Sequence, residues 1–178
     1  DYTIGSVHQV LRDGVPLSVD ESEPVLLRNA AGYYGGDLLA FAEDYYRLVG
    51  DVAERTGCQI VGHFDLICKF NEGDRLFDTS HPRYVAAALG ALDRLAAQDV
   101  IFEINTGAMS RGYRSAPYPA LWLLRAMEAR DIPICITSDC HRADALLYAF
   151  DQAEELARSC GYRERMVLTR RGFQPVGI

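Results

Sequence analysis

Positive charge is scarce in this chain: 18 lysines and arginines stand against 25 aspartates and glutamates, for a formal charge of −7 over 178 residues. Affinity for nucleic acid rests on cations that neutralise phosphates, so this balance argues against a nucleic-acid surface. An anionic small substrate must then be held by a few local cations or by metal ions. No apolar run approaches the ~18 residues that suggest a membrane span, and the first residues lack the basic-then-apolar pattern of a secretory signal. The expectation is a cytoplasmic protein without membrane contact. The five cysteines, Cys58, Cys68, Cys135, Cys140 and Cys160, are odd in number and form no C-x-x-C pair. Reduced thiols are expected rather than a disulfide framework. Low-complexity tracts, linkers and internal repeats are also missing. What is present, at 49% hydrophobic residues, is enough for one domain with a sizeable core spanning residues 1–178.

The second half alternates strand and helix patterns. "CQIVGHFD" (58–65), "DVIFEIN" (99–105) and "IPICITSD" (132–139) are short, apolar and β-branched, as strands buried on both faces should be. Helices are expected over 82–98, with Pro82 at a first helical position, over 118–130, with Pro119 near its start, and over 143–161, ending at Gly161. In the last of these, Leu146, Leu147, Phe150, Ala153 and Leu156 recur at helical spacing and read as core. A fourth helix is expected over 37–57, with Asp37 as N-cap and Gly57 as stop. Ahead of it "DYTIGSVHQV" reads as a strand, and the polar stretch from Leu11 to Gly36 as a long excursion with at most a short hairpin. A last strand is expected near Met166–Thr169. Such alternation implies a mostly parallel sheet, either doubly wound or closed into a barrel, with ligands at the carboxyl ends of the strands.

Polar residues gather at those ends. They are His8 in "GSVH", His63 and Asp65 in "GHFD", Glu103 and Asn105 in "EIN", and Asp139 and His141 in "SDCH", so three of the four histidines terminate different strands. Residues two apart on an extended strand point the same way, ~6.6 Å apart. Asp139 and His141 can therefore address one centre, as can His63 and Asp65. Imidazole with carboxylate suits Zn²⁺, Mn²⁺ or Fe²⁺. Each residue also has a plainer reading: Asp139 as cap of the 143–161 helix, Glu103 in a structural salt bridge, His81 as a loop residue at a helix start, Cys68 and Cys140 as inert thiols. The loop "GAMSRGYRSAPYP" (107–119) offers Arg111 and Arg114 for an anion, and Arg142 follows His141.

Taken in order, "DYTIGSVH", "IVGHFDLICKFN", "EINTGAMSRGYRSAPYP" and "ITSDCHRAD" closely resemble the histidinol-phosphatase branch of the PHP (polymerase and histidinol phosphatase) family, up to about Phe150. The resemblance implies a distorted (β/α)7 TIM-like barrel and a cluster of three divalent ions that hydrolyses the phosphomonoester L-histidinol phosphate in histidine biosynthesis. It further implies His8 and His63 as ligands of one metal, Asp139 of a second and His141 of the third, with Asp139 and His141 at the reacting group. Arg111, Arg114 and Asp65 are the implied substrate contacts. Related PHP proteins act on nucleotides or other phosphate esters, which is the alternative activity. The family's H-x-H motif, two further histidines and bridging glutamate have no counterpart here. The expectation is an N-terminally incomplete domain that pairs with a companion fragment, or else an inactive piece that only binds metal or a partner chain.

Overall fold

The computed structural model describes residues 1–178. Four short strands, β1 (Ile4–Gly5), β4 (Ile60–Val61), β5 (Ile101–Asn105) and β6 (Ile134–Thr137), form one parallel sheet in the order β1-β4-β5-β6. Between β1 and β4 lie an antiparallel hairpin, β2 (Gln9–Arg12) with β3 (Val15–Ser18), and three helices, α1 (Glu23–Tyr34), α2 (Leu38–Gly50) and α3 (Val52–Thr56). Helix α4 (Pro82–Ala96) joins β4 to β5; α5 (Gly107–Ser110) and α6 (Leu121–Glu128) join β5 to β6. Helix α7 (Phe150–Cys160) follows β6, and the chain ends in a second hairpin, β7 (Glu164–Thr169) with β8 (Gly172–Gly177). No helix is long and apolar enough to cross a membrane.

The two faces of the sheet are covered differently. Val61, Phe102, Ile104, Ile134 and Ile136 join the main core with helix residues such as Tyr46, Leu92, Leu95, Leu123 and Met127. On the other face Ile60, Ile101 and Cys135 form a separate small cluster against Met166 and Phe173 of the C-terminal hairpin. Side chains alternate across a strand, so the residues beyond this small cluster on the same face, Glu103 and Asn105 among them, stand clear of the helical core. The result is an open sheet with edges at β1 and β6, and no closed barrel.

Several local expectations are corrected. The first strand is split: Ile4–Gly5 joins the sheet while Gln9–Arg12 turns back on β3, which leaves His8 at the bend between them. The 11–36 stretch holds the hairpin and also α1, whose Ser22 side chain accepts from the Val25 amide at 3.4 Å and whose end is marked by Gly35 in the left-handed region. That helix buries only Leu26 and Ala30, so its apolar signal is weak. The 37–57 helix breaks at Asp51 into α2 and α3. The 143–161 helix begins only at Phe150, because Ala149 takes a φ of 56° and separates it from a 3-10 turn at Ala143–Ala145. Leu146 and Leu147 therefore leave the expected core stripe and stand 61% and 70% exposed.

Candidate active site

The carboxyl ends of the parallel strands open into a cleft of about 870 Å³, lined among others by His8, Asp20, His63, Lys69, Arg111 and Asp139. Glu103, Asn105 and His141 also reach it, and Leu146, Leu147 and Phe150 border it. The strand-end histidines His8 and His63 thus meet, with ring centroids 4.9 Å apart and planes at 81°.

Each ring is set by a neighbour. Nδ1 of His8 lies 3.1 Å from Oδ2 of Asp20, in the turn after β3. That hydrogen bond pulls the His8 pKa above its ordinary value against the opposing effect of burial. Burial would raise Asp20, but the bond to His8 and the charges around it prevail and hold the carboxyl below its usual range. His63 is 7% exposed. Burial pushes its pKa down, countered in part by Glu103, and its Nδ1 has no protein partner. The backbone at His63 and at Asp139 is left-handed, with φ of 21° and 41°. Non-glycine residues seldom hold such angles, and where they do the surroundings usually enforce them at a functional site.

Glu103 is the scaffold beneath. Its Oε2 accepts from the His63 backbone N–H at 2.7 Å and from Asn105 Nδ2 at 2.9 Å, while Oε1 accepts from the Thr137 hydroxyl. One buried carboxylate therefore ties β4, β5 and β6 together by hydrogen bonds, with no salt bridge. Asn105 in turn accepts from the Gly107 amide at 2.8 Å. At Gly62 a Cβ would come within 2.5 Å of Ser6 Oγ, 3.0 Å of Ile4 Cγ2 and 3.3 Å of Glu103 Oε2, so a larger residue here would require these side chains to shift.

The two-residue spacing does not work as expected. After His63 the backbone turns into a 3-10 segment at Leu66–Cys68, and Asp65 is carried inward to full burial, outside the cleft. Its Oδ2 accepts from the Ala120 amide at 3.0 Å. Asp139 and His141 stay at the cleft, but their closest polar approach is 4.0 Å, with the His141 side chain 70% exposed. Asp139 caps no helix, since α7 starts at Phe150. Among the arginines, Arg111 lines the cleft and donates to the Asp139 carbonyl at 2.8 Å. Arg114 does not reach it: its side chain is 11% exposed and donates to the Cys68 carbonyl at 3.2 Å. Arg142 pairs with Asp144 on the surface.

Two cleft residues escaped sequence reasoning. Lys69 donates to the Asp20 carbonyl at 2.6 Å and lies 4.8 Å from the centre of the Tyr113 ring. It is a second cation in the cleft beside Arg111. Asp20 is the other, and both depend on how the first hairpin folds back over the strand ends. Lys69 lies within "IVGHFDLICKFN", but nothing local to it says which way it points. His81 accepts from the Arg83 amide at 3.2 Å at the start of α4, a capping role. Cys68 is buried with its thiol pushed up to about 12, first by burial, and is inert at neutral pH. All five cysteines are free.

The donors can be weighed against a metal site. Two imidazoles in edge contact, one with a buried and unpartnered nitrogen, offer two of the three or more ligands that a divalent ion takes from a protein. Nowhere do three or more His, Cys, Asp or Glu side chains converge as a metal-holding group.

No family model matches the chain. It is 34% identical over 175 residues to a Deinococcus radiodurans protein provisionally named histidinol-phosphatase, covering 98% of this chain and 60% of that one. A Schizosaccharomyces pombe protein with the same provisional name is 28% identical over 90% of this chain and 51% of its own length. The histidinol-phosphatase of Bacillus subtilis is 26% identical over 85% of this chain and 56% of its own. A crystal structure provisionally described as a histidinol phosphatase from Listeria monocytogenes superposes with a TM-score of 0.69 at 19% identity, over 85% of this chain and 57% of that one. The fold is shared with that structure. The chain spans between 51% and 60% of the length of these curated relatives.

Proposed function

We propose that the cleft is part of the active site of a metal-dependent phosphomonoesterase, and that the longer protein of this type hydrolyses L-histidinol phosphate to L-histidinol and inorganic phosphate. The observation that carries this reading is the meeting, in one strand-end cleft, of the paired imidazoles of His8 and His63 with the cations Lys69 and Arg111. The similarity to proteins named histidinol-phosphatase supplies the substrate.

The ligand roles are His8 and His63 for one ion, Asp139 for a second and His141 for a third, with Zn²⁺, Mn²⁺ or Fe²⁺ as the candidates. A divalent ion bound there supplies hydroxide at neutral pH and neutralises phosphoryl oxygens. Asp20 holds His8 with Nε2 free. Lys69 and Arg111 hold the phosphoryl oxygens of the ester, and Asp139 and His141 stand at the reacting group. Water adds at phosphorus, the ester oxygen leaves with a proton, and phosphate and the alcohol are released. A cytoplasmic setting belongs to the same reading, supported by the five free thiols.

This chain's own donors are too few for three ions: nowhere do three or more converge as a metal-holding group. The others would come from a companion segment that adds strands to the open edge at β1, where Tyr2 and Ile4 are 46% and 41% exposed. So completed, the sheet would be one arc of a distorted (β/α)7 barrel. The same shortage of donors favours a second reading for the chain by itself, that it binds one ion without turning over substrate.

The test is phosphate release with Mn²⁺ or Zn²⁺ from L-histidinol phosphate and from a panel of nucleotides and other monoesters. A preference for L-histidinol phosphate that Asp139→Asn abolishes without unfolding is expected. A preference for nucleotides would overturn the substrate, and full activity in Asp139→Asn would overturn the site.

A further inference from the structure

Apart from the cleft there is a small pocket of about 90 Å³, walled by Asp65, Cys68, Tyr84, Arg114 and Trp122 among others and partly open to solvent beside the exposed Glu72, Gly73 and Asp74. Four buried side-chain atoms in the whole molecule have no hydrogen-bond partner: His63 Nδ1, Asp65 Oδ1, Arg114 Nε and Tyr118 Oη. Two of them, Asp65 Oδ1 and Arg114 Nε, belong to walls of this one cavity. The third of that group is close by, since the Arg114 guanidinium lies 5.0 Å over the Tyr118 ring. Asp65 has no exposed surface. The Arg114 charge opposes the effect of burial on Asp65, yet no ion pair joins the two, and Arg114 Nε lies 3.7 Å from Glu72 Oε2, beyond hydrogen-bond reach.

Buried polar atoms are nearly always satisfied, and a carboxylate more stringently than most. A pocket that exceeds the roughly 10–15 Å³ needed for one water, and that offers a buried acceptor and a buried charged donor, meets the requirements of a hydration site. The geometry points to bound water in this cavity that bridges Asp65 Oδ1 to Arg114 Nε, making the two positioning residues for the cleft rather than contacts to its ligand.

The remaining bonds say what is positioned. Asp65 Oδ2 accepts from Ala120 at 3.0 Å, and Arg114 donates to the Cys68 carbonyl at 3.2 Å. Alongside, Glu72 accepts from the Ser115 amide at 3.1 Å and from its hydroxyl. These bonds fasten segment 63–72 to segment 106–120. The first carries His63 and Lys69 into the cleft, and the second carries Arg111, Tyr113 and Tyr118. The bridge sits on the reverse of both. It fixes the distance between the two cleft cations, while Arg114 stays out of reach of any ligand there.

The positioning half rests on the anion-binding reading of the cleft; the water site does not. The experiment is NMR of the arginine Nε–H groups in the wild-type chain, assigned through the backbone, with and without inorganic phosphate. The Arg114 Nε–H should exchange slowly, show a cross-peak to a long-lived water, and stay in place as phosphate is added while Arg111 shifts. Fast exchange with no water cross-peak would overturn the bridge. A phosphate-induced shift of Arg114 as large as that of Arg111 would make it a ligand contact and overturn the positioning role. If phosphate moves neither arginine while the water cross-peak is present, the anion-binding reading fails and the bridge stands. As a functional readout, Arg114→Lys should restore most of the phosphate affinity that Arg114→Met loses. Equal loss in both would contradict positioning through the bridge.

Discussion

Asp20 and His8 are joined through Oδ2 and Nδ1 at 3.1 Å, across the bend that separates β1 from the first hairpin. The bond fixes which imidazole nitrogen faces the cleft and raises the basicity of the ring, as carboxylate partners of metal-binding histidines do. Asp20→Asn should therefore weaken Zn²⁺ or Mn²⁺ binding by about 10–100-fold without unfolding the chain. Calorimetric titration of the metal-free protein checks this, and an unchanged affinity would show that His8 needs no such partner.

The two histidines should titrate on opposite sides of the ordinary value of about 6.5. His8 is raised by Asp20, and His63 is lowered by burial. For His8 the linked stability is full below about 6.5 and fades as pH rises through its folded pKa. For His63 the sign reverses: its contribution is present above about 6.5 and is lost as pH falls toward its folded pKa. Imidazole NMR titration without metal should give two separated midpoints with His8 the higher. His63→Gln should flatten the acid side of the stability profile, and midpoints in the other order would contradict the assignment.

Glu103→Ala would strand the His63 amide, the Asn105 side-chain amide and the Thr137 hydroxyl in a buried setting. The expected cost is about 2–4 kcal/mol, because each unsatisfied buried donor costs roughly 1–3 kcal/mol and part can be recovered by entering water. Urea unfolding measures it. A loss under about 1 kcal/mol, less than one such donor costs, would mean that the three strand ends are held together by something else.

Arg111→Ala and Lys69→Met each remove a cation from the cleft. Both should weaken inorganic phosphate binding, and in the active protein raise KM for the phosphate ester more than they lower kcat. Arg142→Ala, whose side chain is tied to Asp144 on the surface, should do neither. An effect of Arg142→Ala equal to the other two would move the anion site.

The α/β alternation and the carboxyl-end site were legible because hydrophobic period and strand termination are local properties. His8, His63, Asp139 and His141 were placed at strand ends by that rule, and the structure brings all four to one cleft. Asp65 lies outside the cleft because the same-side rule holds only for extended backbone, and the left-handed angle at His63 ends the extension at once. Leu146 and Leu147 were read as core for a similar reason, since a single left-handed Ala149 breaks a helix that the apolar spacing would have carried through. Lys69 and Asp20 could not be read at all. Their place depends on the hairpin meeting the 63–72 segment, a contact of long sequence range with no local signature.

The most direct measurement is calorimetric titration of the metal-free chain with Zn²⁺ or Mn²⁺, run beside His63→Ala. One ion bound per chain, lost in the variant while its fold persists, is the expected result. No binding, or binding untouched by His63→Ala, would contradict the metal site at the strand ends and with it the phosphatase reading of the cleft.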